Sequence, residues 1–520
     1  MRGRAAAHGC GLRLTAEDCG SRLRLAAHGR IIGLHYREKK NYIIKDCIDM
    51  RKTKIICTLG PASESEETIE KLCLAGMNVA RFNFSHGTHE WHRTVMDRVK
   101  RVRERLNVPV AIMLDTKGPE YRIGTFADGP IELHDGDKFT FTVDDIEGDA
   151  TRVSVSYKTL CSELSPGDKV YVNDGLVQLK VDRIEGHDIH CTTLVGGVVS
   201  NRKSMSFPGK VLHQVFLSEQ DKADLLFGIE NDVDFVAASF VSSADNVDDM
   251  RNFIDDNGGK GIGIIAKIEN QSGVDNIYEI CKRCGGVMVA RGDLGVEIPF
   301  KQVPARQKEL ITICRMLGKR VITATEMLES MINNPRPTRA EISDVANAVY
   351  DGTSAVMLSG ESASGKYPVR TVEVMAEICE ETEKHVDYVK QFHDAYFRIE
   401  NNIDAISHSA CNMAIATEAK AIAVSSLSGI TVRMVSRFRP VADIVGLTTD
   451  AREWRKLALS WGVIPVLCEK YPSSEVVFYE ALKKTVGVLG LSGGDNVILV
   501  GGSVTGVPGE NNTIRLETVR

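Results

Sequence analysis

Eight short apolar runs recur along the chain: Lys54–Leu59, Asn78–Asn83, Pro109–Asp115, Asp234–Ser239, Ile262–Glu269, Gly286–Arg291, Arg320–Thr325 and Ser354–Ser359. Most neighbours are separated by a charged stretch of helical period, with room for one helix. Near-continuous apolar runs of this length mark strands buried on both faces, and strand–helix repetition places such strands in a parallel sheet. Eight units of this kind predict a closed (β/α)8 barrel, a TIM-barrel α/β fold.

The third and fourth runs lie too far apart for a single helix. From about Pro119 to Pro208 the period changes to two, with Ile131–Leu133, Lys138–Val143, Lys169–Val172 and Val177–Val181 alternating between turns at Asp135-Gly136-Asp137, Pro166-Gly167-Asp168 and Asn173-Asp174-Gly175. This predicts a small β-barrel or sandwich over 119–208, inserted after the third strand at the mouth of the barrel, where it can act as a lid. The barrel itself is assigned to 50–118 and 209–390. A further α/β unit follows over 391–520, with a helix at Asn401–Glu418 and strands at Ala421–Ser425, Ala442–Leu447, Val463–Leu467 and Asn496–Val500.

Residues 1–49 show neither period, and native folding is expected to begin near Met50. The preceding segment reads as a disordered extension or an upstream translation artefact. It has no continuous apolar core for a signal peptide, and Glu17, Asp18, Glu38, Asp46 and Asp49 argue against a transit peptide.

Composition narrows the classes. At 520 residues, 43% hydrophobic and 26% charged, the chain is expected to be soluble and multidomain, with no apolar stretch of membrane-span length. A formal net charge of −6 and the lack of a basic stripe argue against a nucleic-acid binder. Thirteen scattered cysteines, many inside apolar runs, read as reduced thiols of a cytoplasmic protein. Cys281-Lys-Arg-Cys284 has metal-like spacing without a second pair, so it reads as structural.

In such a barrel the polar residues just past each strand are the candidates for chemistry. The second run ends in Arg81, Asn83, Ser85 and His86, and the third in Asp115, Thr116, Glu120 and Arg122. The fifth and sixth carry Lys267, Glu269, Arg291 and Asp293, the seventh Thr323, Thr325 and Glu326, and the eighth Ser359 and Glu361. Taken singly, each has a structural reading: Arg81 in an ion pair, Asp115 capping a loop, Glu361 charging the first turn of a helix. Together they place cations and carboxylates in one mouth, which is costly without a ligand. Alternation along a strand puts Lys267 and Glu269 on the same face. All-oxygen ligands at Glu269 and Asp293 favour Mg2+ or Mn2+ over zinc, and a cation beside two carboxylates suits a phosphorylated substrate.

The motifs Thr53-Lys-Ile-Ile-Cys-Thr-Leu-Gly-Pro-Ala-Ser63, Ala80-Arg-Phe-Asn-Phe-Ser-His-Gly87, Leu114-Asp-Thr-Lys-Gly-Pro-Glu120, Ala266-Lys-Ile-Glu-Asn270, Val289-Ala-Arg-Gly-Asp-Leu-Gly-Val-Glu297, Ala324-Thr-Glu-Met-Leu-Glu-Ser330 and Pro335-Arg-Pro-Thr-Arg-Ala-Glu341 closely resemble those of pyruvate kinases, in order, over about residues 50–520. The resemblance implies conversion of phosphoenolpyruvate and ADP to pyruvate and ATP. It implies that Lys267 stabilises the phosphoryl group in flight, that Glu269 and Asp293 hold the divalent ion, and that the backbone of Ala290, Arg291, Gly292 and Asp293 receives the substrate carboxylate. Thr325 is then placed near the enolate carbon and Arg81 on the phosphates, with Asn83, His86, Arg122, Lys203 and Asp174 on the nucleotide side. A K+ site of Asn83, Ser85, Asp115 and Thr116 is implied, and Glu120, where potassium-independent relatives tend to carry lysine, implies potassium activation. The loop with Ser426, Ser428, Gly429 and Thr431 resembles the receiver of a sugar-phosphate or nucleotide effector, although N-capping by Ser428 explains the same residues. A homotetramer is also implied.

Two other classes remain open on the residues alone. A Mg2+-dependent barrel lyase of enolpyruvate or 2-oxo acids would use a similar Glu/Asp pair without needing Lys267 or the inserted lid. A non-catalytic metabolite sensor would be expected to have lost Lys267, Glu269, Asp293 or Thr325, and all four are present.

Overall fold

The computed structural model describes residues 51–520, apart from 211, 213, 214, 396 and 503–510. The expectation for residues 1–49 lies outside the described residues. Eight parallel strands close a barrel: β1 (Lys54–Thr58), β2 (Val79–Asn83), β3 (Ala111–Asp115), β4 (Phe235–Ala238), β5 (Gly263–Ile268), β6 (Gly286–Ala290), β7 (Arg320–Ala324) and β8 (Ala355–Leu358). Each pairs with its neighbours in sequence, and β8 returns to β1 through Lys54↔Ala355 and Ile56↔Met357. All eight coincide with the apolar runs to within two residues, because burial on both faces leaves few polar positions in a run, most of them near its ends.

One set of strand side chains fills the barrel interior, including Ile56, Met113, Phe235, Ile265, Met288 and Met357. The other set packs outward against the ring of helices, as Ile55, Leu114, Val236, Val289 and Leu358 do. Each such fully buried side chain contributes roughly 1.5–3 kcal/mol of transfer free energy, so the barrel is held by its packing rather than by surface ion pairs. The helices begin at side-chain caps that the sequence supplies. Ser218 with Asp221, Ser243 with Asn246 and Thr338 with Glu341 form reciprocal capping boxes.

After β3 the chain leaves the barrel for a seven-stranded sheet and a two-stranded ribbon with their own core, among them Ile123, Phe139, Phe141, Val170, Leu179 and Ile189. The edge strands Tyr121–Arg122 and Arg152–Ser154 of the larger sheet meet through the Ile123↔Val155 bridge and the Gly124 N–H to Ser154 carbonyl bond of 2.8 Å. Of the two shapes left open by the sequence, this joining of edges is that of a small barrel.

The C-terminal sheet runs β11 (Val463–Leu467), β10 (Asp443–Thr448), β9 (Ala421–Ser425), β12 (Asn496–Gly502), β13 (Asn511–Thr518). All are parallel except β13, which pairs antiparallel with β12 at the edge. Sequence patterning passes over β13 because its Asn-Asn-Thr-Ile-Arg-Leu-Glu-Thr is mostly half-buried or exposed and presents no apolar run. Among the described residues no helix is long and apolar enough to cross a membrane.

Candidate active site

The C-terminal ends of β2, β3, β4 and β5 bring charges of both signs into contact. Asp115, fully buried at the end of β3, accepts a 2.6 Å hydrogen bond from Arg81 Nε on its Oδ2, while Lys267 Nζ lies 3.1 Å from its Oδ1. Arg81 Nη1 donates to Thr58 Oγ1 at 2.8 Å, tying β1 into the cluster. Lys267 Nζ donates to Ser239 Oγ at 2.7 Å, and that hydroxyl reaches the Thr116 carbonyl at 2.6 Å. Ser239 and Thr58 are therefore site residues that the sequence reading did not single out. Both are small hydroxyls at strand ends, which is the only signal the sequence offers for them.

Glu269, just past β5 and fully buried, accepts from the Phe240 N–H at 2.6 Å on Oε2. Its other oxygen, Oε1, lies 2.9 Å from Lys267 Nζ, so the buried carboxylate is held by the ammonium on one side and the Phe240 N–H on the other. Burial pushes the Glu269 carboxyl up to about 7, Lys267 opposes the shift, and the neighbouring Asp293 charge adds to it. For Lys267, burial favours the neutral amine, but Asp115 and Glu269 outweigh it and keep the ammonium charged. Burial likewise raises the Asp115 carboxyl, and Arg81 and Lys267 overcome that penalty and hold it below its ordinary value. The arrangement is a charged lysine held between two carboxylates in a water-poor strand-end cluster.

Asp293 stands exposed in the first turn of the helix Arg291–Glu297, which starts directly after β6. The Gly292 N–H donates to Thr325 Oγ1 at 2.8 Å, and that hydroxyl donates to the Ala324 carbonyl at 2.6 Å. Thr325 and Glu326 have φ of 67° and 53°, two consecutive left-handed residues of which one is β-branched. Arg291 explains how they are held. Its Nε and Nη2 donate to the carbonyls of Ala324 (3.2 Å) and Thr325 (2.6 Å), and its Nη1 pairs with Asp344 at 2.7 Å. The guanidinium of Arg291 is thus committed to this turn, and only its backbone lies along the Ala290–Asp293 segment.

Asn83 pairs in register with Asp115, and its Oδ1 accepts from the Ser85 N–H at 3.1 Å. Ser85 and His86 are exposed on the loop after β2, and the His86 carbonyl is 2.9 Å from His92 Nε2. The Thr116 hydroxyl bonds within the β3–β4 strand ends, accepting from the Ser239 N–H at 3.2 Å and lying 3.3 Å from the Ala237 carbonyl. Two other strand-end candidates are structural: Thr323 bonds Thr353 at 3.0 Å, and buried Glu361 accepts the N–H groups of Leu328 and Ser359.

Arg122, Lys203 and Asp174 all lie in the inserted small barrel. Arg122 ion-pairs with Glu120 and donates to the Arg202 carbonyl at 2.6 Å, while Asp174 accepts from Ser204 Oγ at 2.7 Å. A cleft of about 180 Å3 opens between this sheet and the main barrel, lined among others by Glu120, Asp174, Phe207, Asn270 and Asp293. It adjoins Asp293 but does not include Lys267, Glu269 or Arg81. Ser426, Ser428 and Gly429 lie in the loop after β9 of the C-terminal sheet, and Thr431 in the first turn of the helix that follows. There Gly429, at φ 66°, is the N-cap of the helix Ile430–Arg437 without any side-chain cap bond, so capping by Ser428 does not occur.

Comparison with known proteins gives the family. A family model described as "Pyruvate kinase, barrel domain" matches residues 50–372, and one described as "Pyruvate kinase, alpha/beta domain" matches residues 404–517. The chain is 45% identical over 472 residues to the pyruvate kinase of Clostridium acetobutylicum, covering 90% of this chain and all of that one. It is also 45% identical over 473 residues to the pyruvate kinase of Staphylococcus saprophyticus, covering 90% of this chain and 81% of that one. The crystal structure of a pyruvate kinase from Cryptosporidium parvum superposes with a TM-score of 0.87 at 37% identity, covering 93% of this chain and 98% of that one. The chain belongs to the pyruvate kinase family, phosphotransferases that pass the phosphoryl group of phosphoenolpyruvate to ADP and release pyruvate and ATP.

Proposed function

We propose that Lys267 is the residue that stabilises the phosphoryl group in transit. The observation that carries this is its position: a buried ammonium fixed by Asp115 at 3.1 Å, Glu269 at 2.9 Å and the Ser239 hydroxyl. A group fixed before the reaction needs no reorganisation when charge develops on the equatorial oxygens. Arg81, steered by Asp115 and Thr58, supplies a second fixed cation for the phosphates.

Glu269 and Asp293 fit a divalent ion, Mg2+ or Mn2+. The buried Glu269 carboxylate, whose Oε1 meets only the Lys267 ammonium, and the electrostatic proximity of Asp293 support this, as does the all-oxygen donor set. Among the described residues no cluster of three or more His, Cys, Asp or Glu forms a metal cage. That suits a hard ion that binds through one or two carboxylates and completes its shell from water and substrate phosphates. When bound, the ion neutralises charge on the substrate. The chain's own part is to orient and protonate. The N–H groups at the start of helix Arg291–Glu297 receive the substrate carboxylate, favoured by the helix N-terminus, and Thr325 Oγ1, aimed by Gly292, orders the proton donor at the enolate carbon.

K+ would be held by Asn83, Ser85, Asp115 and Thr116. The nucleotide would lie across Asn83, His86, Arg122, Lys203 and Asp174, beneath the inserted small barrel acting as a lid. Residues 119–208 then form the lid, 50–118 with 209–390 the catalytic barrel, and 391–520 the C-terminal domain. The loop at Ser426, Ser428, Gly429 and Thr431 is assigned to a sugar-phosphate or nucleotide effector, a reading strengthened by the lack of a capping role for Ser428. A cytoplasmic homotetramer is the proposed working form, and buried or half-buried cysteines such as Cys57, Cys281, Cys314 and Cys468, none of these four in a disulfide, suit that compartment.

The test is a lactate-dehydrogenase-coupled assay with phosphoenolpyruvate, ADP, Mg2+ and K+. Lys267→Met should lower kcat by at least a thousandfold with little change in the apparent affinity for ADP. A variant within tenfold of the parent overturns the assignment of Lys267.

A further inference from the structure

Where the barrel floor meets the C-terminal sheet, six cationic side chains surround a small cavity: Arg315, Lys319 and Arg320 from the barrel, and Arg433, Arg437 and Arg439 from the helix Ile430–Arg437 and the turn after it. The space at its centre is about 10 Å3, room for a single water-sized occupant. Among the described residues only Arg437 has a carboxylate partner, Asp404 at 3.4 Å. Glu453, whose charge acts on Arg320 and Arg433, is already paired with Lys456 at 2.5 Å.

Neutral groups take up part of this charge. Arg320 Nη2 donates to the Lys456 carbonyl at 3.1 Å, Arg437 Nη1 to the Met316 carbonyl at 3.4 Å, and Arg439 Nη2 to the Gly352 carbonyl at 2.9 Å. Arg437 stacks on Phe438 and Arg439 on Trp461, with guanidinium-to-ring distances of 4.6 and 4.5 Å. Carbonyl dipoles and ring faces attract cations, but neither carries a full negative charge. Three buried donors remain without an acceptor: Arg315 Nη2, Arg437 Nε and Arg439 Nε, each on a side chain that lines the cavity. The Arg433 guanidinium has no hydrogen bond or ion pair among the described residues.

We propose that this cavity is an anion site that holds one halide ion, chloride under physiological conditions, and that the ion supplies the counter-charge joining the barrel to the C-terminal sheet. Arg320, Arg437 and Arg439 are buried and Arg315, Lys319 and Arg433 half-buried, and cations gathered this closely from two elements repel one another and require compensation. A monoatomic anion accepts from several N–H directions at once and is the smallest counter-ion for so small a space, whereas a tetrahedral oxyanion is larger.

The experiment is thermal unfolding of the full-length protein in potassium gluconate, chloride and bromide at matched ionic strength, which keeps K+ constant, with bromide anomalous diffraction from the crystallised enzyme. Chloride and bromide should raise the melting temperature over gluconate by roughly 2–4 °C, saturably, and bromide should give an anomalous peak among the six cations. Arg433→Met removes one repelling charge, so it should be more stable than the parent in gluconate and lose at least half of the halide response. Equal melting in all three salts overturns the proposal, because the cavity then holds water. Arg433→Met destabilised equally in every salt also overturns it, because the cluster is then a structural network without an ion. Stabilisation by phosphate or sulfate in place of halide refutes the choice of a monoatomic anion.

Discussion

Asp344 touches no group proposed to meet substrate, yet its removal should slow turnover. Its carboxylate pairs with Arg291 Nη1 at 2.7 Å, and the same guanidinium bonds the carbonyls of Ala324 and Thr325. Thr325 and Glu326 both sit in the left-handed region, at a cost of about 1–2 kcal/mol for each non-glycine residue. The clamp must offset roughly 2–4 kcal/mol for the turn to persist. A charge-assisted hydrogen bond contributes about 1.5–3 kcal/mol, and the side chain of Asp344 is 34% exposed, so solvent screening reduces the share lost in Asp344→Ala to about 1–2 kcal/mol. If that energy appears as loss of the turn that aims Thr325 Oγ1, kcat falls roughly 5- to 30-fold while KM for phosphoenolpyruvate changes less than threefold. Arg291→Lys, which keeps the charge but not the fork, should show the same split between kcat and KM. Steady-state kinetics in the coupled assay, with melting temperatures as a control for global damage, decide the matter. Parental kcat in both folded variants would refute the clamp.

Glu120 lies at the junction of barrel and lid and ion-pairs with Arg122, so no lysine ammonium stands at this position. Activity in tetramethylammonium salts should be at least tenfold below that in potassium salts, and Glu120→Lys should narrow the gap; equal rates in the two salts for the parent would exclude a K+ requirement. At the barrel floor, burial and then Arg51 lower the buried Lys54 ammonium to about 7, although Nζ donates to the Val463 carbonyl at 2.9 Å. Its folded pKa lies below its unfolded value, so between about pH 7 and 10 the unfolded chain binds the extra proton and stability rises with pH, by roughly 1 kcal/mol per unit. Denaturant titrations at pH 7, 8 and 9 should show this rise in the parent and its loss in Lys54→Met, and parallel pH profiles would contradict it. Ser239→Ala removes the hydroxyl shared by Lys267 and the Thr116 carbonyl; a kcat loss of roughly tenfold with the pH profile retained is expected, and an unchanged kcat would place Ser239 outside the site.

What the sequence reveals and what it hides follow one physical rule. Strands β1–β8 are legible because burial on both faces keeps polar residues rare in a run, and the same rarity makes the charges at its C-terminal end conspicuous. Arg81, Asp115, Lys267 and Glu269 stand out for this reason, and the structure brings those four into contact. Residues that act through backbone groups leave no such mark. Arg291 lies in a motif that invites a ligand role, while its guanidinium holds two carbonyls, and Asp344 sits on a helix where one more acid is unremarkable. Glu361 reads as a helix-start charge, yet it is buried and accepts two N–H groups from different loops. Edge strand β13 is hidden for the converse reason, since an edge with exposed faces needs no apolar period. In this fold, pattern marks the groups that point into the mouth, and the side chains that hold the mouth in shape carry no such mark. The Asp344 and Ser239 variants therefore probe the part of the site that residue type alone could not assign, and a kcat loss in either would show that rate depends on the holders as well as on the charges they hold.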